Sequence, residues 1–262
     1  MKKFLAEILC TCHNNFAMLT PEEIKSKTLE IARRKGFIDS IFNYCDRWCE
    51  RCAFTTKCRN YEFEMESPPP DGPELWEYLH NVFKATFMMV EEQMKEMGID
   101  PADIEDVPED PDKDPEKHPL AILARETAFH THEWLETHDI CKKIGDQADL
   151  DIQSTAESSR YKDSVEVIYH YNFFISAKIS RAISGLLEHD EFSDYDMNGS
   201  AKIALVSIDR LIAAWMVVMK ELHEYEDDIL KILVKLAEIR KIAENTFPEG
   251  REFVRPGFDE HG

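Results

Sequence analysis

The sequence predicts an all-α protein on three observations: long stretches of Ala, Leu, Ile, Lys and Glu, only nine glycines in 262 residues, and apolar residues recurring at helical spacing. Strands would bring β-branched alternation and frequent tight-turn dipeptides, and neither pattern is found. Hydrophobic residues at 43% and charged residues at 32% supply enough apolar surface for a folded core. The expected architecture is a helical bundle of four long helices behind an N-terminal, helical, cysteine-rich metal-binding segment. Residues 1–66 hold the first helix and the cysteine-rich segment, 67–247 the bundle with an acidic linker at 99–117, and 248–262 an irregular tail.

Thr20-Pro21-Glu22-Glu23 offers a capping threonine, a proline in the first turn and a glutamate that reaches back, so a helix starts there and is expected to run to about Tyr44. Ser67 to Pro73 carries four prolines and a glycine and breaks the chain before a helix from Glu74 to Met97. In that helix Trp76, Leu79, Phe83, Phe87, Val90, Met94 and Met97 form a stripe expected to face inward. Asp100 to Lys117, with nine acidic residues and four prolines, reads as an exposed connector. Further helices are expected near Pro119 to Ile144, Ser159 to Glu188 and Ser200 to Asn245, the last long enough to bend. Each apolar stripe can be covered only by another helix, which is the argument for a bundle.

A formal net charge of −21 repels phosphate backbones and anionic lipid, and no basic stripe offsets it, so neither nucleic acid nor a membrane surface is expected as a partner. A protein partner or a homo-oligomer remains compatible with that charge. Met1 to Leu19 opens with two lysines and an apolar stretch, but Glu7 interrupts it and no small-residue cleavage site follows. Ile203 to Met219 carries Ser207, Asp209 and Arg210, which argues against a membrane span. The chain therefore reads as cytoplasmic, and its seven cysteines as reduced thiols and metal ligands.

Cys45, Cys49, Cys52 and Cys58 place four thiols within fourteen residues at C-x3-C-x2-C-x5-C spacing. A continuing helix would set Cys45, Cys49 and Cys52 on one face, with Cys58 returning across the Thr55-Thr56 turn. Arg47, Arg51, Lys57 and Arg59 outnumber Asp46 and Glu50 nearby, which favours thiolates, the species that bind metal. Tetrahedral Zn²⁺ and a four-cysteine iron–sulfur cluster both fit this ligand set. Packing of these cysteines as small hydrophobes is the bland alternative. Cys10, Cys12 and His13 are possible additional ligands, and Cys141 reads as a packed thiol.

The C-x3-C-x2-C part resembles the cluster-binding spacing of radical S-adenosylmethionine enzymes, which are built on repeated strand–helix units that this sequence lacks. The run Cys45-Asp46-Arg47-Trp48-Cys49-Glu50-Arg51-Cys52 is also similar, over about twenty residues, to a stretch near the amino terminus of uncharacterised bacterial helical proteins. That resemblance implies no activity.

A second constellation pairs Glu77 with His80, Glu126 with His130 and Glu166 with His170, each one turn apart on a different expected helix. Bundle-type di-iron and di-manganese proteins use inward glutamates and Glu-x-x-His pairs, so a second Fe or Mn site is a candidate. Only Glu77 and His80 have that i, i+3 spacing; chance pairs and satisfied surface residues are the alternative. Asp209, in an apolar stretch, needs a partner such as Arg181. Asp194 to Gly199 matches half of an EF-hand loop, but Leu205 takes the place of its final acid, so a polar interhelical turn is expected.

Three functions follow. The first is a metalloprotein holding Zn²⁺ or an iron–sulfur cluster on the four cysteines for stability or redox sensing. The second is a non-haem di-metal oxidoreductase using the Glu/His pairs, and the third an acidic helical interaction module without catalysis.

Overall fold

The computed structural model describes residues 18–100, 110, 113–138, 140, 156–188 and 190–259. These are all-α, with no strand among the described residues. The helices are α1 (Pro21–Arg33), α2 (Arg59–Glu66), α3 (Glu74–Met97), α4 (Pro119–Thr137), α5 (Ala156–Glu188), α6 (Glu191–Glu221) and α7 (Glu226–Thr246). Among the described residues no helix is long and apolar enough to cross a membrane. Contacts divide the chain into two compact units: Met1–Phe37 with Arg59–Asp106, and Ile38–Cys58 with Val107–Gly262.

In the first unit, α1 begins as the sequence predicts. The Thr20 hydroxyl accepts from the Glu23 amide at 3.3 Å, and the Glu23 carboxylate accepts from the Thr20 amide at 2.9 Å. It stops eleven residues short of Tyr44, at Arg33, because Arg34 turns extended and Gly36 takes φ 97°. The Arg34 guanidinium explains what is gained there: it bonds Glu30 at 2.9 Å and Glu62 at 2.8 Å and also reaches Glu66, tying α1 to α2. A small core of Ile24, Tyr78 and Ala85, flanked by Leu19, Phe63, Leu75 and Val82, joins α1, α2 and α3. The stripe expected to face inward mostly faces out, since Trp76, Phe83, Phe87, Val90 and Met97 are exposed and Leu79 and Met94 half-buried, while Tyr78 and Ala85 are buried.

The larger core belongs to the second unit. There α4 packs on α5, α5 on α6, α6 on α7, and α7 returns to α4. Leu120, Trp134, Val165, Ile168, Tyr171, Ile183, Leu205, Ile208, Trp215, Ile232 and Ile239 fill the space between them. Two corrections to the expected bundle follow. The Glu74–Met97 helix lies in the other unit, and the expected Ser200 to Asn245 helix is two helices, separated at buried Leu222 by a 3-10 turn over His223–Tyr225. The expected turn at Asp194 to Gly199 lies inside α6 instead. The end of the Pro119 to Ile144 expectation, and most of the acidic connector, lie outside the described residues.

Candidate metal centre

The cysteine segment belongs to the second unit, and it is not the helix that the spacing suggested. Three short 3-10 turns, Ile41–Asn43, Cys49–Arg51 and Thr55–Lys57, carry it, and Ser40 and Arg47 take positive φ values of 59° and 58°. The single helical face proposed for Cys45, Cys49 and Cys52 therefore does not form. Cys49 and Cys52 instead straddle one 3-10 turn, closed by the Cys52 amide on the Cys49 carbonyl at 3.2 Å. Such a turn sets residues i and i+3 on one side.

Side chains between the cysteines anchor the segment to the helices. Asp46 is central: its Oδ2 accepts from Tyr171 Oη at 2.7 Å and Arg210 at 2.6 Å, and its Oδ1 from the Trp48 amide at 3.2 Å. Burial opposes the charge on Asp46, but these donors outweigh it and hold the carboxyl below its ordinary range. The Tyr171 hydroxyl is pushed up to about 12, by burial first and then by the Asp46 charge. Trp48 lies between two groups, stacked on the His170 ring at 4.3 Å between ring centres and covered by the Arg51 guanidinium at 4.0 Å. Arg51 continues to Asp163 at 2.5 Å and to Glu166, both on α5.

Aromatic packing holds the front of the segment. Tyr44 is buried, donates to Asp196 on α6 at 3.2 Å, and meets Phe253 edge-on at 5.0 Å. Gly199 makes this possible, because a Cβ there would lie 2.3 Å from the Tyr44 ring. Lys178 donates to the Asn43 carbonyl at 2.9 Å; burial first, then the nearby Arg181 and Arg47 charges, depress its pKa to about 8.

Cys45, Cys49, Cys52 and Cys58 are half-buried thiols. One sulfur meets the amide two residues further on, the Phe54 amide donating to Cys52 Sγ at 3.4 Å, while the Cys45 thiol donates to the Phe42 carbonyl at 3.5 Å. Burial pushes the Cys45 thiol up, against the Arg47 amide and guanidinium, which pull it down. Cys52 also opens onto a cavity of about 610 Å³ lined by Trp48, Arg51, Arg160, Tyr171, Arg210 and Phe258 among others. Among the described residues no group of three or more His, Cys, Asp or Glu stands in position to hold a metal ion.

The Glu/His pairs have other surroundings. Glu77 and His80 are exposed on α3 of the first unit, and Glu126 and His130 are exposed on α4 of the second. Glu166 is exposed and paired with Arg51. His170 donates through Nε2 to the Asp46 carbonyl at 2.9 Å, a bond that fixes its tautomer because the carbonyl can only accept. Among the described residues these pairs form no group of three or more His, Cys, Asp or Glu placed to hold a metal ion. Asp209 finds a partner, but in Arg240 and Arg251, while Arg181 pairs with Asp196. Cys10, Cys12, His13 and Cys141 lie outside the described residues. The Asp46, Tyr171 and Arg210 anchor was not anticipated; an acid and a tryptophan set between cysteines were its only trace in the sequence. No family model, curated protein or solved structure matches the chain.

Proposed function

We propose that the second unit is a cysteine-ligated metalloprotein module, with Cys45, Cys49, Cys52 and Cys58 as ligands to Zn²⁺ or an iron–sulfur cluster in a structural or redox-sensing role. The observation that carries this reading is the Phe54 amide aimed at Cys52 Sγ, on a segment that gathers four half-buried thiols on short turns. A metal-bound thiolate retains negative charge, and N–H donors to sulfur are what stabilise it and tune the metal. The anchors on either side, Tyr44, Asp46 and Trp48, hold the segment in place without using its sulfurs. Cys45, Cys49, Cys52 and Cys58 would hold the metal as thiolates, and its binding free energy would then add to the folding stability of these turns. Four reduced thiols also suit a cytoplasmic, reducing compartment.

Anaerobic purification with elemental analysis and a visible spectrum tests the proposal. Stoichiometric zinc in a colourless protein, or iron with broad absorbance in a brown one, is expected, with the metal lost when Cys45, Cys49, Cys52 and Cys58 are all changed to Ser. It should survive His130→Ala with His170→Ala. A metal-free protein from metal-replete cells, or metal retained in the quadruple Ser variant, would overturn the reading.

A further inference from the structure

The first unit leaves one feature unaccounted for. Helix α3 carries apolar residues on two separate sides. Tyr78 and Ala85, with Leu75 and Val82 beside them, pack in the small core with Ile24 of α1. On the other side Trp76 is 76% exposed, Phe83 63%, Phe87 67%, Val90 45% and Met97 62%. With His80 and Met94 these residues follow a strict four-three alternation through three heptads: Trp76, His80, Phe83, Phe87, Val90, Met94, Met97. At 100° per residue the two faces are about 130° apart. A heptad repeat of this kind is the pattern of a helix seated against another helix.

We infer that this face of α3 is a self-association surface, on which the α3 helix of a second copy of the chain packs antiparallel. The flanking charges select both the occupant and its direction. One edge of the seam carries Glu77, Lys84 and Glu91, while the other carries the uncharged Leu79, Thr86 and Gln93. A parallel pair would set each edge against the opposite edge and leave the charges without partners. An antiparallel pair sets the charged edge against its own copy, and Lys84 then faces Glu91 of the second copy twice over, by symmetry. The same register places Phe87 against Val90, Phe83 against Met94 and His80 against Met97, so charge and apolar pairing agree. Phe83 and Phe87 of both copies, at roughly 150–250 Å² each, with the neighbouring Val90, Met94 and Met97, bury on the order of 1,000 Å², which reaches the size of a specific interface.

Sedimentation velocity on the full chain, with circular dichroism to verify folding, tests the inference. A dimer at micromolar concentration is expected, reduced to monomer by Phe83→Glu with Phe87→Glu at unchanged helix content. Lys84→Glu, an exposed change that leaves the monomer core untouched, should weaken the dimer about tenfold, and adding Glu91→Lys should restore it. A monomeric wild type would overturn the inference, as would a dimer indifferent to the double glutamate change or to Lys84→Glu.

Discussion

At the scale of single residues, the cysteine segment is held by what lies between and before its cysteines. Gly199 is the sharpest case, because its missing side chain is the space that the Tyr44 ring occupies. Gly199→Ala is expected to cost about 1–3 kcal/mol through overpacking, read as a lower urea midpoint with an unchanged slope. A midpoint equal to that of the native protein would mean that the ring moves aside freely. Cys45 offers a second check, since burial pushes its thiol up despite the Arg47 amide. In metal-free protein it should be alkylated more slowly than it is after Trp48→Ala, which removes the indole stacked between Arg51 and His170 and loosens the segment. Equal rates in the two proteins would show that Trp48 does not anchor the segment. The spacing of the cysteines was plain in the sequence. Their anchors were not, because Asp46 meets Tyr171 and Arg210 across 125 and 164 residues, and no local pattern encodes such a meeting.

At the scale of elements, capping chemistry was the most legible information. Thr20, Pro21 and Glu23 define the start of α1, and the Ser67 to Pro73 run predicts a break where α3 then begins at Glu74. Helix ends set by tertiary contacts were hidden. Arg33 ends α1 because the next residue reaches three glutamates, and the α6 to α7 break at Leu222 carries neither glycine nor proline. Periodicity located the stripe on α3 but not its covering, since spacing reports a face and says nothing of which neighbour meets it. The join of α6, α7 and the tail rests on Asp209, which bonds Arg240 at 3.2 Å and Arg251 at 2.5 Å. Burial opposes its ionisation, but the two guanidinium groups outweigh burial and keep the carboxyl below its ordinary range. A carboxyl that is more acidic when folded contributes stability above the ordinary carboxylate pKa of about 3.9, and this stability is lost as pH falls through the lower folded value. Asp209→Asn should therefore destabilise the protein at neutral pH and lose that difference in strong acid, measured by denaturant titration across pH. A difference that persisted unchanged into strong acid would exclude the ion pairs as its source.

At the scale of the whole molecule, the two units differ in how much apolar surface each buries. Among the described residues the first has a small cluster of Ile24, Tyr78 and Ala85, whereas the second encloses a continuous cluster spanning α4 to α7. Local stability follows buried contacts, so native-state hydrogen exchange should be slowest in the middle of α5 and α6, around Ile168, Ile183 and Leu205, and faster in α1 and α3. The exposed seam of α3 adds a dependence that a monomer could not show. If a second copy covers Trp76 to Met97, protection of α3 amides rises with protein concentration, because association stabilises the folded state by mass action, while the amides of α5 and α6 stay constant. Exchange measured by mass spectrometry at two concentrations far apart separates the cases. Concentration-independent protection of α3 would leave its size set by its packing on α1 and α2 alone, and protection equal to that of α6 at every concentration would contradict the division into units of unequal stability.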